Sequence, residues 1–369
     1  FLSFIRYTMI HEIITQKYLT DKQTKDLQGK WIGEDYMKIP VITEDTDVYY
    51  MENNEKKLLL KFRKHVISDK LVEIGWDSYK HLAKPSRGRG ASAGPIDTTG
   101  TYWSKRDIVD TTKWSTSYYL KNGNKSKMKV NNQVASNPIG FYESSKNISK
   151  LPCRLTHFTR TNFDSYQSGL PFIERINKLY QELVPDCYEK QFSRAKQKPF
   201  FQIKQNKSPQ IIDYYKNNNE PQLQETYNTK PTAFSTITIN RNFRTALHRD
   251  AGDYKQGFGN LTVIEYGQYS GGYTIFPQFG VAVDVRTNDF LACDVHQWHS
   301  NTPIYETEQQ KIHNEKLPKQ FKDNPKVGTV GIYENYTRLT FVCYLREKLA
   351  NCEITDERFL EPSDSSKIQ

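Results

Sequence analysis

Long apolar segments and patterned cysteines are both missing from this chain of 369 residues. No stretch approaches the roughly 18 consecutive apolar residues of a membrane span, so we expect no membrane partner. The five cysteines are scattered, odd in number and without CxxC spacing, which argues against a zinc ribbon and against a disulfide scaffold. Such cysteines favour an intracellular, reducing compartment, without separating nuclear, cytoplasmic and virus-associated locations.

Aromatic residues and positive charge are abundant. Tyr and Phe number 24 and 19, more than disordered chains carry, although the mean hydropathy is only −0.76. The net charge of +10 and the pI of about 9.1 favour a polyanionic partner such as DNA or RNA. A solvated lysine-rich surface is the alternative explanation, and no sequence feature indicates the oligomeric state.

Residues 1–150 form an uneven N-terminal extension. Its opening segment predicts a helix with Ile5, Met9, Ile10 and Ile13 on one face, and it lacks the cleavage site of a signal peptide. A Gly-rich basic loop follows at residues 84–100, where Gly, Pro, Ser and Thr disfavour regular structure. Arg87 and Arg89 make this loop a positively charged arm, which is either a solvated insertion or a clamp for nucleic acid.

Residues 151–350 have the pattern of a folded domain. The segment Arg154–Phe163 alternates like a strand, and Leu170–Leu183 has helical spacing with Pro171 in its first turn. Short strand-like segments without intervening helices then predict an antiparallel sandwich or barrel: AFSTITINRNF, GNLTVIEYG, GYTIFPQF, VAVDVRTNDFLACDVH and RLTFVCYLRE. A charged insertion at about residues 305–330 predicts a surface loop or short helix, and residues 351–369 form a C-terminal tail.

An HxD motif, His248-Arg249-Asp250, follows the first of these segments. In an extended backbone residues i and i+2 project to the same face, so the imidazole and the carboxylate can bind one metal. A third ligand from a distant strand would complete the facial triad that suits non-haem Fe(II). HxD also occurs by chance. His296 and His299 compete for the third position, and we predict His299 because the Thr-Pro step after it turns the chain out of a strand.

A second pair, Arg338 and Thr340, opens the apolar segment RLTFVCYL. These side chains also share one face, so the guanidinium can hold a carboxylate while the hydroxyl adds a hydrogen bond. A buried arginine at this position needs an anion, and 2-oxoglutarate supplies one. A salt bridge at the end of a strand is the alternative role for Arg338.

Four segments of the chain, taken in order, resemble the Tet/J-binding-protein family of nucleic-acid-base dioxygenases: HRD, GNLTVIEYG, GVAVDVRTNDFLACDVHQWHSNTPI and TRLTFVCYL. The resemblance covers roughly residues 135–348 and is strongest to the algal and viral branch, which contains a 5-methylcytosine-modifying enzyme. It implies an α+β, mainly β fold: a double-stranded β-helix (jelly-roll) core, flanking helices and an irregular N-terminal extension. The long insertion after His299 and the absence of a Cys-rich zinc region depart from the family pattern.

The resemblance also implies roles for residues. His248, Asp250 and His299 would bind Fe(II), and Arg338 with Thr340 would bind 2-oxoglutarate, with ascorbate as the alternative co-substrate.

Asp253 falls where the family places a residue that contacts the target base. A carboxylate there accepts a hydrogen bond from the cytosine amine, which favours 5-methylcytosine, with thymine next. Capping of the Gly252 turn is the alternative role for Asp253.

The function that we expect is oxidation of a methyl group on a nucleic-acid base, which is flipped into the site, with Arg87 and Arg89 on phosphates. Two alternatives remain open. One is a hydroxylase of the same fold that acts on a protein or a small molecule. The other is a catalytically idle DNA-binding or virion structural protein.

Overall fold

One large β-sheet forms the centre of the computed structural model, which describes residues 9–98, 107–143, 153–195, 232–321, 329–330 and 335–350. The strands are β1 (His11–Thr15), β2 (Thr46–Glu52), β3 (Glu55–Arg63), β4 (Pro85–Ser86), β5 (Gln133–Glu143), β6 (Cys153–Leu155), β7 (Thr236–Arg241), β8 (Gly259–Tyr266), β9 (Ser270–Gly271), β10 (Thr274–Phe276), β11 (Val281–Val283), β12 (Phe290–Cys293), β13 (Ser300–Asn301), β14 (Ile304–Tyr305), β15 (Thr329–Val330) and β16 (Thr337–Tyr344). The helices are α1 (Asp21–Asp26), α2 (Asp69–Tyr79), α3 (His157–Thr161), α4 (Phe163–Ser168), α5 (Leu170–Leu183), α6 (Pro185–Ala195), α7 (Glu308–Asn314) and α8 (Glu347–Ala350).

The order of the strands in the large sheet is β1-β2-β3-β12-β8-β16-β7-β5-β15, with β4 and β6 paired to β5. Neighbours are antiparallel from β2 to β5, whereas β1 pairs with β2 and β15 with β5 in parallel. A small sheet has the order β11-β10-β13, and β9 pairs with β14. The protein is therefore a mixed α/β fold dominated by a β-sheet.

Helices cover one face of the large sheet. Along β16, Leu339, Phe341 and Cys343 point toward this face and share a buried core with α5, as the two-residue period of a strand requires. The ring of Phe172 in α5 meets the ring of Phe341 edge-on, with centroids 5.1 Å apart. Burial of apolar side chains between α5 and β16 thus fixes the orientation of β16.

The small sheet packs on the opposite face. Val263 of β8 and Leu291 of β12 share a second core with Phe276, Val281 and Val283 of the small sheet. Residues on the large sheet's opposite face, including Thr340 and Val342, line a cavity. The alternation of side chains along one strand therefore separates the helix-facing core from a candidate site.

Several predicted elements are confirmed. The helix predicted at Leu170–Leu183 is α5, with a proline in its first turn. The predicted strand segments contain β7, β8, β10, β11, β12 and β16. The charged insertion includes the helix α7, which begins with a capping box at Thr307; its residues 322–328 lie outside the described part of the chain.

Two expectations are wrong. The N-terminal helix is replaced over His11–Thr15 by β1, because this segment pairs with β2 along its whole length; Ile5 lies outside the described residues. The strand predicted at Arg154–Phe163 ends at Leu155, and α3 begins at His157. Thr156 is the reason, since its side chain accepts a hydrogen bond from the Thr159 backbone and caps the helix.

The predicted division of the chain near residue 150 stays a prediction. Strands β2 and β3 of the extension join the large sheet through the pairing of β3 with β12. Residues 351–369, predicted as a tail, lie outside the described residues. None of the helices in the described part of the chain combines the length and the apolar character that a membrane span requires.

Candidate metal centre

The two histidines of the predicted triad lie directly opposite each other. His248 follows β7, His299 precedes β13, and they form an isolated antiparallel bridge. Each backbone N–H donates to the other's carbonyl oxygen at 3.0 Å. This pairing brings two imidazoles together from distant parts of the chain, with ring centroids 4.4 Å apart.

Backbone carbonyls fix the tautomer of both imidazoles. Nδ1 of His248 lies 2.8 Å from the Ala246 oxygen, and Nδ1 of His299 lies 2.9 Å from the Gln297 oxygen. Because each Nδ1–H donates to a carbonyl, the neutral form of each imidazole has its lone pair on Nε2, the atom that can bind a metal. These Nε2 atoms lie 3.7 and 3.6 Å from the two carboxylate oxygens of Asp250.

Asp250 completes a donor set that fits one divalent ion. Its backbone N–H donates to the Val295 oxygen at 3.0 Å, and its carbonyl accepts from Asp253 N–H at 3.1 Å, which closes the turn after the HxD motif. The ligand atoms of His248, Asp250 and His299 all lie within 4.8 Å of one another. Two imidazole nitrogens and one carboxylate suit non-haem iron, with other coordination positions left open.

His296, the rejected alternative, lies outside this group. Its Nε2 is 3.2 Å from the carbonyl oxygen of Tyr254, and its backbone N–H donates to Asp294 Oδ1 at 3.0 Å. The structure therefore brings His299 beside Asp250 and places His296 in a separate hydrogen-bonding environment.

The charges at the triad are unequal. Burial, with the nearby His299, lowers the pKa of His248 to about 4. Burial also lowers the pKa of His299, but the Asp250 carboxylate 3.6 Å away outweighs it and leaves that pKa raised. Burial likewise raises the pKa of Asp250, and the two neighbouring histidines lower it to about 2. The centre thus pairs an anionic carboxylate with one imidazole that binds protons readily and one that does not.

Arg338 is a buried cation with an incomplete set of partners. Its side chain is about 2% exposed. Nη1 donates to Thr340 Oγ1 at 2.6 Å and Nη2 to the Gly272 oxygen at 3.3 Å, whereas Nε has no partner among the described residues. No carboxylate in the described part of the chain pairs with this guanidinium. Burying an unpaired charge is costly, so the arrangement fits a small anionic co-substrate that approaches past Thr340.

Asn242 positions Arg338 and was missed at the sequence level. Its Oδ1 accepts from the Arg338 backbone N–H at 2.6 Å, and its own N–H donates to the Arg338 oxygen at 2.9 Å. Asn242 has a positive φ of 47°, a conformation that asparagine tolerates better than most residues. The one feature of the sequence that could have indicated this role is an asparagine near the end of a predicted strand segment.

A cavity of about 450 Å³ joins these groups. His248, Asp250, His299 and Thr340 line it, and Arg338 lies behind Thr340 rather than in the lining. Asp253 also lines the cavity; its side chain is buried, and its Oδ2 has no hydrogen-bond partner among the described residues. Burial and then the charge of Asp250 raise the pKa of Asp253 well above its usual value.

The two arginines of the basic loop occupy different positions. Arg87 is exposed and outside the cavity lining, whereas Arg89 lines the cavity with the triad. The loop is anchored rather than free, because Ser86 pairs with β5 and the Ser92 carbonyl accepts from Ala246 N–H at 2.9 Å. Neither contact could be predicted from the sequence, since both join residues that are far apart in the chain.

The comparison with protein families decides what kind of domain this is. A family model described as Tet_JBP, the oxygenase domain of the 2OGFeDO superfamily, matches residues 137–347, more than half of the chain. The chain belongs to the Tet/JBP family. The superfamily name implies Fe(II) and 2-oxoglutarate, and the donor set of the triad fits such an iron site.

Relatives in the Tet/JBP family have names that specify thymine. The chain is 30% identical over 226 residues to "Bifunctional helicase and thymine dioxygenase JBP2" of Trypanosoma cruzi (strain CL Brener), covering 60% of this chain and 16% of that protein. It is 28% identical over 199 residues to "Thymine dioxygenase JBP1" of Trypanosoma brucei brucei, covering 54% and 20%. The chain therefore spans a fifth or less of the length of these two relatives.

A solved structure described as "NgTET1 in complex with 5mC DNA" is also similar to the chain. Its TM-score is 0.44 with 13% sequence identity, over 96% of this chain and 89% of that chain. The predicted Tet/JBP membership is thus confirmed by the family match, while its assignment to the algal and viral branch stays a prediction.

Proposed function

We propose that this chain is an Fe(II)- and 2-oxoglutarate-dependent dioxygenase that oxidises the methyl group of a base in nucleic acid. The observation that carries the proposal is one cavity containing a His-Asp-His group and, behind Thr340, a buried arginine without an acidic partner in the described chain. The facing large and small sheets would be the double-stranded β-helix of such an enzyme.

The residues of the chain have separate tasks in this reaction. His248, Asp250 and His299 would hold the iron, which together with 2-oxoglutarate and O2 supplies the oxidising power, leaving succinate and CO2. Arg338 would bind the far carboxylate of 2-oxoglutarate, with Thr340 orienting its guanidinium. A base from a duplex would enter the cavity by flipping.

Asp253 is the proposed contact to the base. Asp253 lines the cavity, and its Oδ2 is buried and lacks a hydrogen-bond partner among the described residues. An ionised carboxylate accepts from the cytosine amine, whereas the protonated form, which the raised pKa favours, can also donate to thymine O4. Asp253 therefore suits both 5-methylcytosine and thymine, and the names of the relatives add support for thymine.

The test is product analysis on defined oligonucleotides. Purified protein with Fe(II), 2-oxoglutarate and O2 is incubated with duplexes that carry 5-methylcytosine or thymine, and the nucleosides are analysed by mass spectrometry. We expect one added oxygen on one of the two bases. Absence of product on both, with succinate formed on a peptide or a free small molecule, would instead identify a hydroxylase with another substrate class.

A matched pair of variants separates binding from catalysis in this assay. Asp253→Asn keeps the shape and both kinds of hydrogen-bonding atom, so product should remain, whereas Asp253→Ala should lower kcat/KM by about 10-fold or more, as expected when a buried hydrogen bond is lost. If DNA binding persists in every variant, and the wild type produces neither succinate nor oxidised base, the chain is a binding protein without turnover.

A further inference from the structure

We propose that Arg89, from the N-terminal extension, binds the phosphate next to the target base when that base occupies the cavity. The inference rests on the proposed function and assigns a substrate contact to a residue outside residues 137–347, the part that the family model matches. Arg89 lines the same cavity as His248 and Asp250, so the extension builds part of the site.

The backbone of the loop presents Arg89 to the cavity. Gly88 and Gly90 on either side have positive φ angles of 98° and 56°, which glycine adopts without strain. The Arg89 carbonyl accepts from Ser92 Oγ at 2.7 Å, and the Ser92 carbonyl in turn accepts from Ala246, two residues before His248. These links fix the position of the loop relative to the metal centre.

The Arg89 side chain is half-buried. Its guanidinium makes no hydrogen bond and no ion pair with the described residues. Asp250 is the nearby carboxylate that stabilises its charge, and Arg346, which also lines the cavity, opposes it. Because Asp250 is a proposed iron ligand, its negative charge would be shared with the metal. The Arg89 guanidinium is therefore available to an anion that enters the cavity.

Position along β16 indicates which anion this is. Thr340 and Arg338 mark the co-substrate end, whereas the groups that most influence Arg89 are Tyr344, Asp250, Arg346 and Tyr142. Thr340 and Tyr344 are four residues apart, about 13 Å along an extended strand. The five-carbon chain of 2-oxoglutarate has four C–C bonds and cannot exceed about 6 Å. Arg89 therefore lies toward the substrate end, where the anion of a nucleic acid is phosphate.

A flipped nucleotide brings its own phosphate to this position. The base enters the cavity while the backbone remains at its opening, and a guanidinium binds phosphate oxygens through two parallel hydrogen bonds. Trp114, also in the extension, lines the cavity next to Arg89 and packs on Gly29. The wall that faces the substrate thus combines an aromatic ring with a phosphate-binding arginine.

The test combines a protein variant with a modified substrate. Oligonucleotides carry the base that the wild type oxidises, with either an ordinary phosphate or an uncharged methylphosphonate linkage beside it. Arg89→Ala should raise the KM for the ordinary oligonucleotide about 10- to 100-fold, the loss typical of a charge-assisted hydrogen bond. The methylphosphonate linkage should raise the KM of the wild type for the oligonucleotide by a similar factor, and it should raise the KM of Arg89→Ala little further. The KM for 2-oxoglutarate should stay unchanged.

Control variants separate local contact from net charge. Lys121→Ala removes one positive charge from an exposed turn of the same extension and should change the KM by less than about threefold. Arg89→Lys keeps the charge without the planar fork and should restore part of the affinity. If Arg89→Ala does not fold, Arg89→Lys and the response of the wild type to methylphosphonate carry the test.

The outcomes that overturn the inference are distinct from failure of the proposed function. Suppose that the wild type oxidises the base, and that Arg89→Ala and the methylphosphonate linkage each raise the KM for the oligonucleotide by a factor that is independent of the other. Arg89 then does not bind that phosphate. A change confined to the KM for 2-oxoglutarate would place Arg89 at the co-substrate instead. A wild type that oxidises no base on any oligonucleotide would remove the proposed function, and the inference with it.

Discussion

His248 and His299 have matching backbone contacts, but their pKa values shift in opposite directions. Both donate Nδ1–H to a carbonyl two residues earlier in the chain, yet burial lowers the pKa of His248 to about 4, whereas Asp250 raises that of His299. At pH values between about 4 and the raised pKa of His299, therefore, His248 is neutral and His299 carries an extra proton and is positively charged. A metal must displace this proton in order to bind.

We predict that affinity for a divalent metal rises with pH until His299 has lost its proton. Below the raised pKa of His299, each pH unit should weaken binding about tenfold, with release of about one proton per metal. Calorimetric titration with Mn(II), from about pH 6 to about pH 8.5, measures both quantities. His296→Ala should retain the response and His299→Ala should lose it. Affinity that is constant or falls with rising pH would contradict the assignment.

The raised pKa of His299 also affects the stability of the metal-free protein, which urea unfolding at several pH values measures. The folded-state pKa of His299 is raised, so its contribution to the stability of the metal-free protein is complete below the unfolded pKa, near 6.5. That contribution is lost as pH rises through the folded-state pKa. Metal-free protein thus loses this stabilisation in the pH range where metal binding is strongest.

Three features of the site could be predicted at the level of residues. The HxD motif and the Arg338–Thr340 pair depend on the two-residue period of an extended backbone. His299 was chosen from the Thr-Pro step that follows it. The position of Arg89 could not be predicted. Its approach to the cavity depends on contacts between residues 86–92 and distant strands, and such contacts leave no periodic pattern in a sequence.

At the scale of elements, β16 serves both the core and the cavity. Phe341 and its neighbours on one face pack against α5, while Thr340 and Val342 on the other line the cavity. Elements with a clear period, such as α5 and β7, were predicted correctly. The segments at His11–Thr15 and Arg154–Phe163 were not, because strand pairing in one and a threonine cap in the other outweighed the local pattern.

We predict that substitutions on the two faces of β16 have different effects on stability. Phe341→Ala removes a fully buried ring and should lower the free energy of unfolding by about 3–5 kcal/mol. Val342→Ala, at a half-buried position on the cavity wall, should lower it by only about 1 kcal/mol. Urea unfolding measures both. Equal losses would mean that the strand does not separate core from cavity.

At the scale of the whole molecule, two parts of the chain build one site. The family match covers residues 137–347, which contain the triad and Arg338. The preceding residues contribute β2 and β3 to the large sheet and Gln28, Arg89 and Trp114 to the cavity. The resemblance to the Tet/JBP family therefore predicted the residues of the metal centre, whereas the contribution of the N-terminal extension to the cavity wall was not predicted by it.

The central claim is that oxidation of a base and consumption of 2-oxoglutarate occur together at His248, Asp250 and His299. The most direct measurement is the ratio of succinate to oxidised base, determined by mass spectrometry in one reaction with a duplex oligonucleotide. We predict about one succinate per oxidation step for the wild type and for His296→Ala, and neither product for His299→Ala. Oxidised base formed at the wild-type rate by His299→Ala, or succinate formed by the wild type with no oxidised base, would contradict the claim.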